Sequence, residues 1–353
     1  MKETKKTDSI SILQKRWRKF KSLKRGYLSL IIIITLYLLS FALPLLINSK
    51  AVIVNYNGSK YFPIFHGFYD GNTFNQKETG SSETDYRKLK QTFTQENNGN
   101  WVFMPFWTWN PLENDFESTD PHPQAPSSNH IFGTDNTGRD VFARMAYGFN
   151  ISISFALILA FLSEILGVII GGIMGYYGGK VDLFGQRFIE IWSNLPALYV
   201  IIIVSSIIIP NFTLLVFLLV AFGWIGITYY IRGEFFREKA KDYVAAAVAL
   251  GAKDRTIIFK HILPNSLTPL ISFFPFTVIG GISSLVGLDY LGFGLPPPTP
   301  SWGQMVGEGL GNIDFWWLII VPLGAMFITL MLITFIGEAI REAFDPRAFS
   351  RLR

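Results

Sequence analysis

"KDYVAAAVALGAKDRTIIFKHILPN", residues 241–265, stands between two long apolar runs of a 353-residue chain that is half hydrophobic. It reads as two short helices with a glycine between them, not as a span. Tyr243, Ala246 and Leu250 recur at helical spacing, with Ala245, Ala247 and Ala249 filling the other faces. Alanine is the best helix former and adds almost no bulk. Gly251 suits the position just past a helix end, where a left-handed backbone costs least without a Cβ. Asp254 is the expected N-cap of the second helix, Ile257, Ile258 and Ile262 its apolar stripe, and Pro264 its stop. The first helix is smooth, short and suited to insertion into a groove on a partner. A helical hairpin lying on the membrane surface fits the same periodicity.

The flanking runs are membrane spans. A bilayer core of roughly 30 Å needs about 20 apolar residues as helix. Six stretches qualify: roughly 27–48, 151–175, 189–209, 212–231, 267–288 and 315–336. Residues 1–26 carry ten Lys/Arg, among them Lys15, Arg16, Arg18, Lys19 and Lys21, against Glu3 and Asp8. Such an arm before an apolar run marks a cytoplasmic anchor. A cleaved signal peptide is disfavoured, because the run is span-length and no small-x-small cleavage site follows closely. From an inside start, residues 49–150 form an extracytoplasmic insertion between helices 1 and 2. Residues 176–188, with Lys180 and Arg187, form an inside loop, 210–211 a tight outside turn, 232–266 an inside segment and 289–314 an outside loop. Segment 232–266 holds seven Lys/Arg and four acids, loop 289–314 holds no Lys or Arg, and the tail holds Arg341, Arg347, Arg351 and Arg353. The expected fold is therefore an all-α polytopic membrane protein. It has six transmembrane helices with both termini cytoplasmic, a core over 151–345 and a tail over 346–353.

Net charge is +5, but its concentration in the amino-terminal arm argues against nucleic acid. The chain has no Cys, hence neither disulfides nor thiolate chemistry. It holds no phosphate-cradling G-x-x-x-x-G-K-[ST], no H-E-x-x-H and no nucleophile elbow. His66, His122, His130 and His261 lack metal-ligand spacing and are expected at the surface. No catalytic residue and no metal site is expected. Glu164 is the one acid well inside a span; it either lines a path or hydrogen-bonds a neighbouring helix in the bundle interior. Gly167, Gly171 and Gly175 form a small-residue stripe for close helix packing. Pro196 and Pro275 are expected to bend their helices. In the outside segment, Trp101, Phe103, Phe106, Trp107 and Trp109 point to a folded cap. These aromatics form its core, sit at the membrane interface, or dock a substrate-delivering partner.

"DYVAAAVALGAKDRTIIFKHILPN" resembles the EAA loop of binding-protein-dependent ABC importer permeases. Ala245, Ala246 and Ala247 take the places of Glu-Ala-Ala, Gly251 that of the glycine, and Leu263 and Pro264 the end. Alanine replaces the glutamate at 245, and His261 stands at the isoleucine place, as is common in the peptide-permease branch. "FGTDNTGRDVFARMAYG" (132–148), "LDYLGFGLPPPTPSWGQMV" (288–306) and "GEAIREAFDPR" (337–347) resemble the dipeptide/oligopeptide C-type subunit (OppC/DppC-like). The wording of "GGKVDLFGQRFIEIWSNLP" (178–196), "LDYLGFGLP" (288–296) and "IGEAIREAFDPR" (336–347) leans toward the YejE-like branch, associated with microcin C-type and other peptides. The resemblance implies an ABC type I importer permease without ATPase activity of its own, paired with a second permease. Two partner ATPases would bind ATP and Mg, and an extracytoplasmic receptor would deliver a peptide. It implies that Asp242, Tyr243, Ala245, Ala246, Ala247, Leu250, Gly251, Leu263 and Pro264 carry the ATPase coupling. Three rivals stay open: a secondary transporter or channel using Glu164, an importer of nickel chelates or other small solutes, and a non-transporting membrane scaffold. "FGTDNTGRD" suggests a turn whose Arg139 and Asp140 pair or cap the second span. It docks the receptor or packs on the bundle.

Overall fold

The computed structural model describes residues 12–116, 118 and 120–345. The start of the basic arm and the tail 346–353, with Arg347, Arg351 and Arg353, lie outside the described residues. In chain order the helices are α1 (Ile12–Ser22), α2 (Lys24–Ser40), α3 (Leu43–Leu46), α4 (Pro63–His66), α5 (Tyr86–Glu96), α6 (Val141–Tyr177), α7 (Gly179–Ser193), α8 (Ala197–Ile207) and α9 (Phe212–Lys239). After them come α10 (Asp242–Ala249), α11 (Asp254–Thr256), a π-helical stretch (Ile257–Ile262), α12 (Leu263–Ser266), α13 (Thr268–Tyr290), α14 (Trp302–Gly311) and α15 (Trp317–Phe344). Strands β1 (Ile53–Tyr56), β2 (Ser59–Tyr61) and β3 (Trp101–Phe103) form one antiparallel sheet in the order β2-β1-β3.

Among the described residues four helices are long and apolar enough to cross a membrane: α6, α9, α13 and α15. The number rises to six if α1 with α2, bent by 93°, and α7 with α8, bent by 64°, each make one span. The expected stretches are all helical, but their bounds differ. α6 begins ten residues before the expected 151, and α9 runs on through the charged residues to Lys239. The expected inside loop 176–188 is mostly helix α7, entered through Gly178 and Gly179. Apolar count locates the greasy part of a helix, and a helix continues past it while its backbone bonds are made. The bend expected at Pro196 is present, with Pro196 as the N-cap of α8 and 64° between α7 and α8, and Pro275 lies inside α13.

The chain divides into two compact units. The described residues of the first fall within Met1–Ile34, Ile153–Leu285 and Phe327–Arg353. Its centre is the α6–α9 contact made by the glycine stripe. A Cβ on Gly171 would lie 2.5 Å from the Thr228 carbonyl oxygen, and one on Gly175 would lie 2.7 Å from that of Arg232. Bare backbone is what lets the two helices meet. α7 is held to the same pair. Met174, Ile189 and Trp224 form a buried cluster, Trp192 Nε1 donates to the Ala221 carbonyl at 2.7 Å, and Arg232 Nη2 donates to Asp182 at 2.7 Å.

The second unit comprises Thr35–Ser152 and Val286–Met326. Its sheet and α5 enclose a core of Ala51, Val54, Phe74, Tyr86, Leu89, Phe93, Val102 and Met104. The segment that follows the first expected span is thus folded, but the 101–109 aromatics are not its centre. Trp101, Phe103 and Phe106 are exposed, Val102 between the first two is buried, and only Trp109 of the aromatics is buried. Alternation along β3 explains this, since successive side chains point to opposite faces.

Replacing Gly171 by leucine forces backbone apart and should lower stability by about 1–3 kcal/mol or more. Gly226→Ala, where the new Cβ meets open space, should be neutral or stabilising by up to about 1 kcal/mol. Thermal unfolding of the two variants in detergent checks both.

Candidate functional site

The 241–266 segment lies wholly in the first unit. α10 is eight residues long, about 12 Å at the usual helical rise. Its end is a Schellman turn: Gly251 N–H bonds the Val248 carbonyl at 2.9 Å, and Ala252 N–H bonds the Ala247 carbonyl at 3.0 Å. Gly251 is left-handed, with φ +77°, as the sequence implied. Val244 is buried in a cluster with Ile227, Ile231, Phe235, Ile257 and Ile262, and Ala247 is buried as well. The opposite face is open. Ala245, Ala246, Val248 and Ala249 are exposed, and Leu250 is 88% exposed. Of the three alanines in the Glu-Ala-Ala places, Ala247 faces the chain's own core and the other two face out.

Two carboxylate–phenol bonds tie this segment to the long helices. Glu238, buried at the end of α9, accepts from the Tyr243 hydroxyl and from Lys241 Nζ, each at 2.7 Å. Asn265 Nδ2 donates to the same hydroxyl at 3.3 Å. Burial, and then the bond to Glu238, raises the Tyr243 pKa, which keeps the phenol a donor. On the other side the Tyr176 hydroxyl, at the end of α6, donates to Asp254 Oδ1 at 2.6 Å. This corrects the N-cap expectation. Lys253 holds the N-cap place without a side-chain bond, and Asp254 is the first helical residue.

Pro264 does not stop the second helix. Leu263 N–H bonds the Ile258 carbonyl, five residues back, and the chain continues through α12 with Pro264 in its first turn. A proline in an ordinary helix clashes with the carbonyl four residues back; the wider π register just before it removes that conflict. Leu263 is half-buried and Pro264 exposed, while Asp242 is exposed at the start of α10.

The second unit brings together residues from 115, 130–144 and 308. Asp140 caps α6, its Oδ1 accepting from Ala143 N–H at 2.7 Å. Arg139 Nε donates to Asp135 at 2.7 Å, four residues back rather than to its neighbour. Thr134, Asp135 and Asp140 are fully buried, so "FGTDNTGRD" packs within its unit. His130 is also buried, which corrects the surface expectation. Its ring lies 2.8 Å from Asp140 Oδ2 and 3.3 Å from Asp115 Oδ2. Arg144 is fully buried too. Its Nη1 lies 3.2 Å from Asp135 Oδ2, without the alignment of a hydrogen bond. Glu308, on α14, accepts from Asn136 N–H at 3.4 Å. Burial, then the charge of Asp135, raises its pKa, against the pull of Arg144 and Arg139. Spacing could not reveal this network, because its members are more than 190 residues apart at the extremes.

Glu164 is buried in α6, and its Oε1 has no hydrogen-bond partner. The interhelical bond expected of it is therefore not made by that oxygen.

Residues 167–350 match the family described as binding-protein-dependent transport system inner membrane component. The chain belongs to that family. It is 43% identical over 335 residues to the inner membrane ABC transporter permease protein YejE of Escherichia coli (strain K12), covering 94% of this chain and 96% of that one. It is 37% identical over 365 residues to the peptidoglycan transport system permease protein YejE of Agrobacterium fabrum, covering 95% and 93%. The dipeptide transport system permease protein DppC of Bacillus subtilis is 37% identical over 226 residues, covering 63% and 70%. The chain is accordingly a multi-pass membrane permease, and the resemblance read from its motifs holds along nearly its whole length.

Asp135→Asn leaves Arg139 and Arg144 buried with a neutral neighbour, and should cost about 3–5 kcal/mol. Tyr176→Phe removes a single hydrogen bond and should cost about 1–3 kcal/mol. Denaturation of the purified variants in detergent gives both values and their order.

Proposed function

We propose that the chain is the transmembrane permease subunit of an ATP-driven, binding-protein-dependent importer of peptides, and that α10 receives the motion of its ATPases. The carrying observation is the form of α10: an exposed face of alanines and Leu250, closed by a left-handed glycine and bolted to α6 and α9 by Tyr176–Asp254 and Glu238–Tyr243. A helix with almost no side-chain bulk fits a groove closely, and its anchors pass displacement to the long helices. Asp242, Tyr243, Ala245, Ala246, Leu250 and Gly251 form this contact, Ala247 backs it, and 256–264 with Leu263 and Pro264 is the strut to α13.

In this reading six spans cross the bacterial cytoplasmic membrane, with α2 as the first and the α7–α8 pair as the third. The basic arm 1–26, the segment 232–266 and the tail 346–353 are cytoplasmic, while 49–150 is extracytoplasmic. The lysine and arginine distribution supports that orientation. A second permease completes the path, and two separate ATPase subunits bind ATP and Mg. An extracytoplasmic receptor delivers the substrate. A peptide substrate is supported by the peptide-transport and peptidoglycan-transport names of the relatives. Nickel chelates or other small solutes are the alternative cargo.

A secondary carrier is the second reading, favoured by the buried, unpartnered Oε1 of Glu164. Purification from cells in detergent separates the two. Wild type should bring down two ATPases and a second permease. Gly251→Asp, which forces a β-carbon into a left-handed backbone at a cost of about 1–3 kcal/mol and adds a charge to the contact, should lose the ATPases and keep the permease. Absence of ATPases from both preparations, with proton-dependent uptake abolished by Glu164→Gln, would establish the carrier instead.

A further inference from the structure

α1 is the basic part of the amino-terminal arm that the structure describes, and nothing above gives it a role. Residues 12–25 contain seven Lys/Arg and no acid. α1 is amphipathic: Leu13, Trp17 and Phe20 recur along one side, with Lys15 and Arg18 between them in the chain and Lys21 after them. It turns 93° from α2. A basic amphipathic helix at right angles to a span has the geometry of an interfacial helix, lying at the headgroup level with its apolar side toward the acyl chains.

The apolar side is only partly covered by protein. Phe20 is buried with Ala339 and Ala343 of α15, but Leu13 is 67% and Trp17 50% exposed. Between them and the neighbouring helices is a cavity of about 340 Å³. It is lined by Leu13, Trp17 and Phe20 of α1, Leu30 of α2, Ile271 of α13 and Ile340 of α15, and among the described residues Arg16 is the one charged side chain in its lining. Arg16 lies over the Phe344 ring at 4.6 Å. Of the other α1 cations, Lys19 is taken by Glu342 at 2.8 Å. The acids facing this end of α15 are thus partly answered, and the excess charge on α1 stays positive.

We propose that this notch binds an anionic phospholipid, with an acyl chain in the apolar cavity and the headgroup phosphate on Arg16. The hollow has the polarity of a hydrocarbon chain, its entrance has the charge that a phosphodiester requires, and the helix that forms one wall lies where headgroups lie. A guanidinium suits a phosphate better than an ammonium would, since its planar fork donates two parallel bonds. The site also gives α1 a reason to hold its bend. A lipid wedged between α1, α2 and α15 replaces protein packing that the exposed Leu13 and Trp17 lack.

The test uses the assembled importer in nanodiscs, with a trace of phosphatidylglycerol bearing a photoreactive diazirine in its acyl chain. Phosphatidylcholine with the same chain is the comparison. Labelled peptides are mapped by mass spectrometry. Phosphatidylglycerol should label the α1 and Ile340 peptides about fivefold more than phosphatidylcholine, the advantage expected of one cation near an anionic headgroup. Arg16→Ala should reduce its labelling to the phosphatidylcholine level. Ile271→Trp, which fills the hollow, should lower labelling by both lipids. Copurification of the partner subunits serves as the check that each variant is folded. Equal labelling by the two lipids, or phosphatidylglycerol labelling unchanged in Arg16→Ala, overturns the proposal. A rise in labelling when residues 346–353 are deleted also overturns it, because the notch would then belong to the chain's own tail.

Discussion

An eight-residue helix does not stand alone in water; isolated helices shorter than about 12–15 residues are marginal even when rich in alanine. α10 exists because its surroundings hold it. One side is packed through Val244 into the cluster that holds Ile257 and Ile262. Tyr243 binds it to the buried Glu238 of α9, and the Schellman turn at Gly251 closes its last carbonyls. Asp254, just beyond, is held by Tyr176 of α6. In the proposed reading the same anchors that make the helix stable make it a lever, since they tie α10 and its turn to the ends of α6 and α9. Those two helices meet through bare backbone at Gly171 and Gly175, so displacement is passed to a close contact and not absorbed by flexible side chains.

This arrangement accounts for the scarcity of charge in the spans. A transporter driven by an ion gradient collects its energy at ionisable groups near the midplane. A permease driven from outside the membrane needs a handle at the surface and stiff helices leading from it. Glu238, Lys241, Asp254 and the Asp182–Arg232 pair fix the handle and its helices. The Asp115–His130–Asp140 and Arg139–Asp135–Arg144 groups fix the start of α6 in the other unit. Buried pairs of this kind add little net stability, but losing one partner is costly, so they hold a single geometry.

Much of this was legible in the sequence where one local rule decides. Gly251 had to be left-handed because a helix of small residues ended there and the chain turned. The glycine stripe at 167–175 required a close neighbour, and α9 is that neighbour. Asp140 capped its helix as its place before an apolar run suggested. The rest depended on contacts that spacing does not encode. Asp254 left the cap for Tyr176, 78 residues away. His130 moved from surface to core because Asp115 and Asp140 converge on it. Pro264 failed to stop its helix because a π stretch opened just before it. Of the three places open to the 101–109 aromatics, the core is not the one that Trp101 and Phe103 take, because composition does not say which face of an edge strand is covered. Ala245 stands where the family pattern has glutamate, and the anchors that orient α10 lie elsewhere, on Glu238 and Asp254.

The central claim is that the open face of α10 is where separate ATPase subunits touch this chain. The absence of cysteine makes a direct measurement clean: single cysteines at Val248 and Leu250, and one at Asn312 as reference, crosslinked by a short bifunctional maleimide to cysteine-bearing ATPase subunits in native membranes. The account predicts an adduct between an ATPase and either α10 position, with a yield that changes on adding ATP, and none from Asn312. Efficient labelling at Val248 and Leu250 without any ATPase adduct, in membranes where the subunits are assembled, would contradict it.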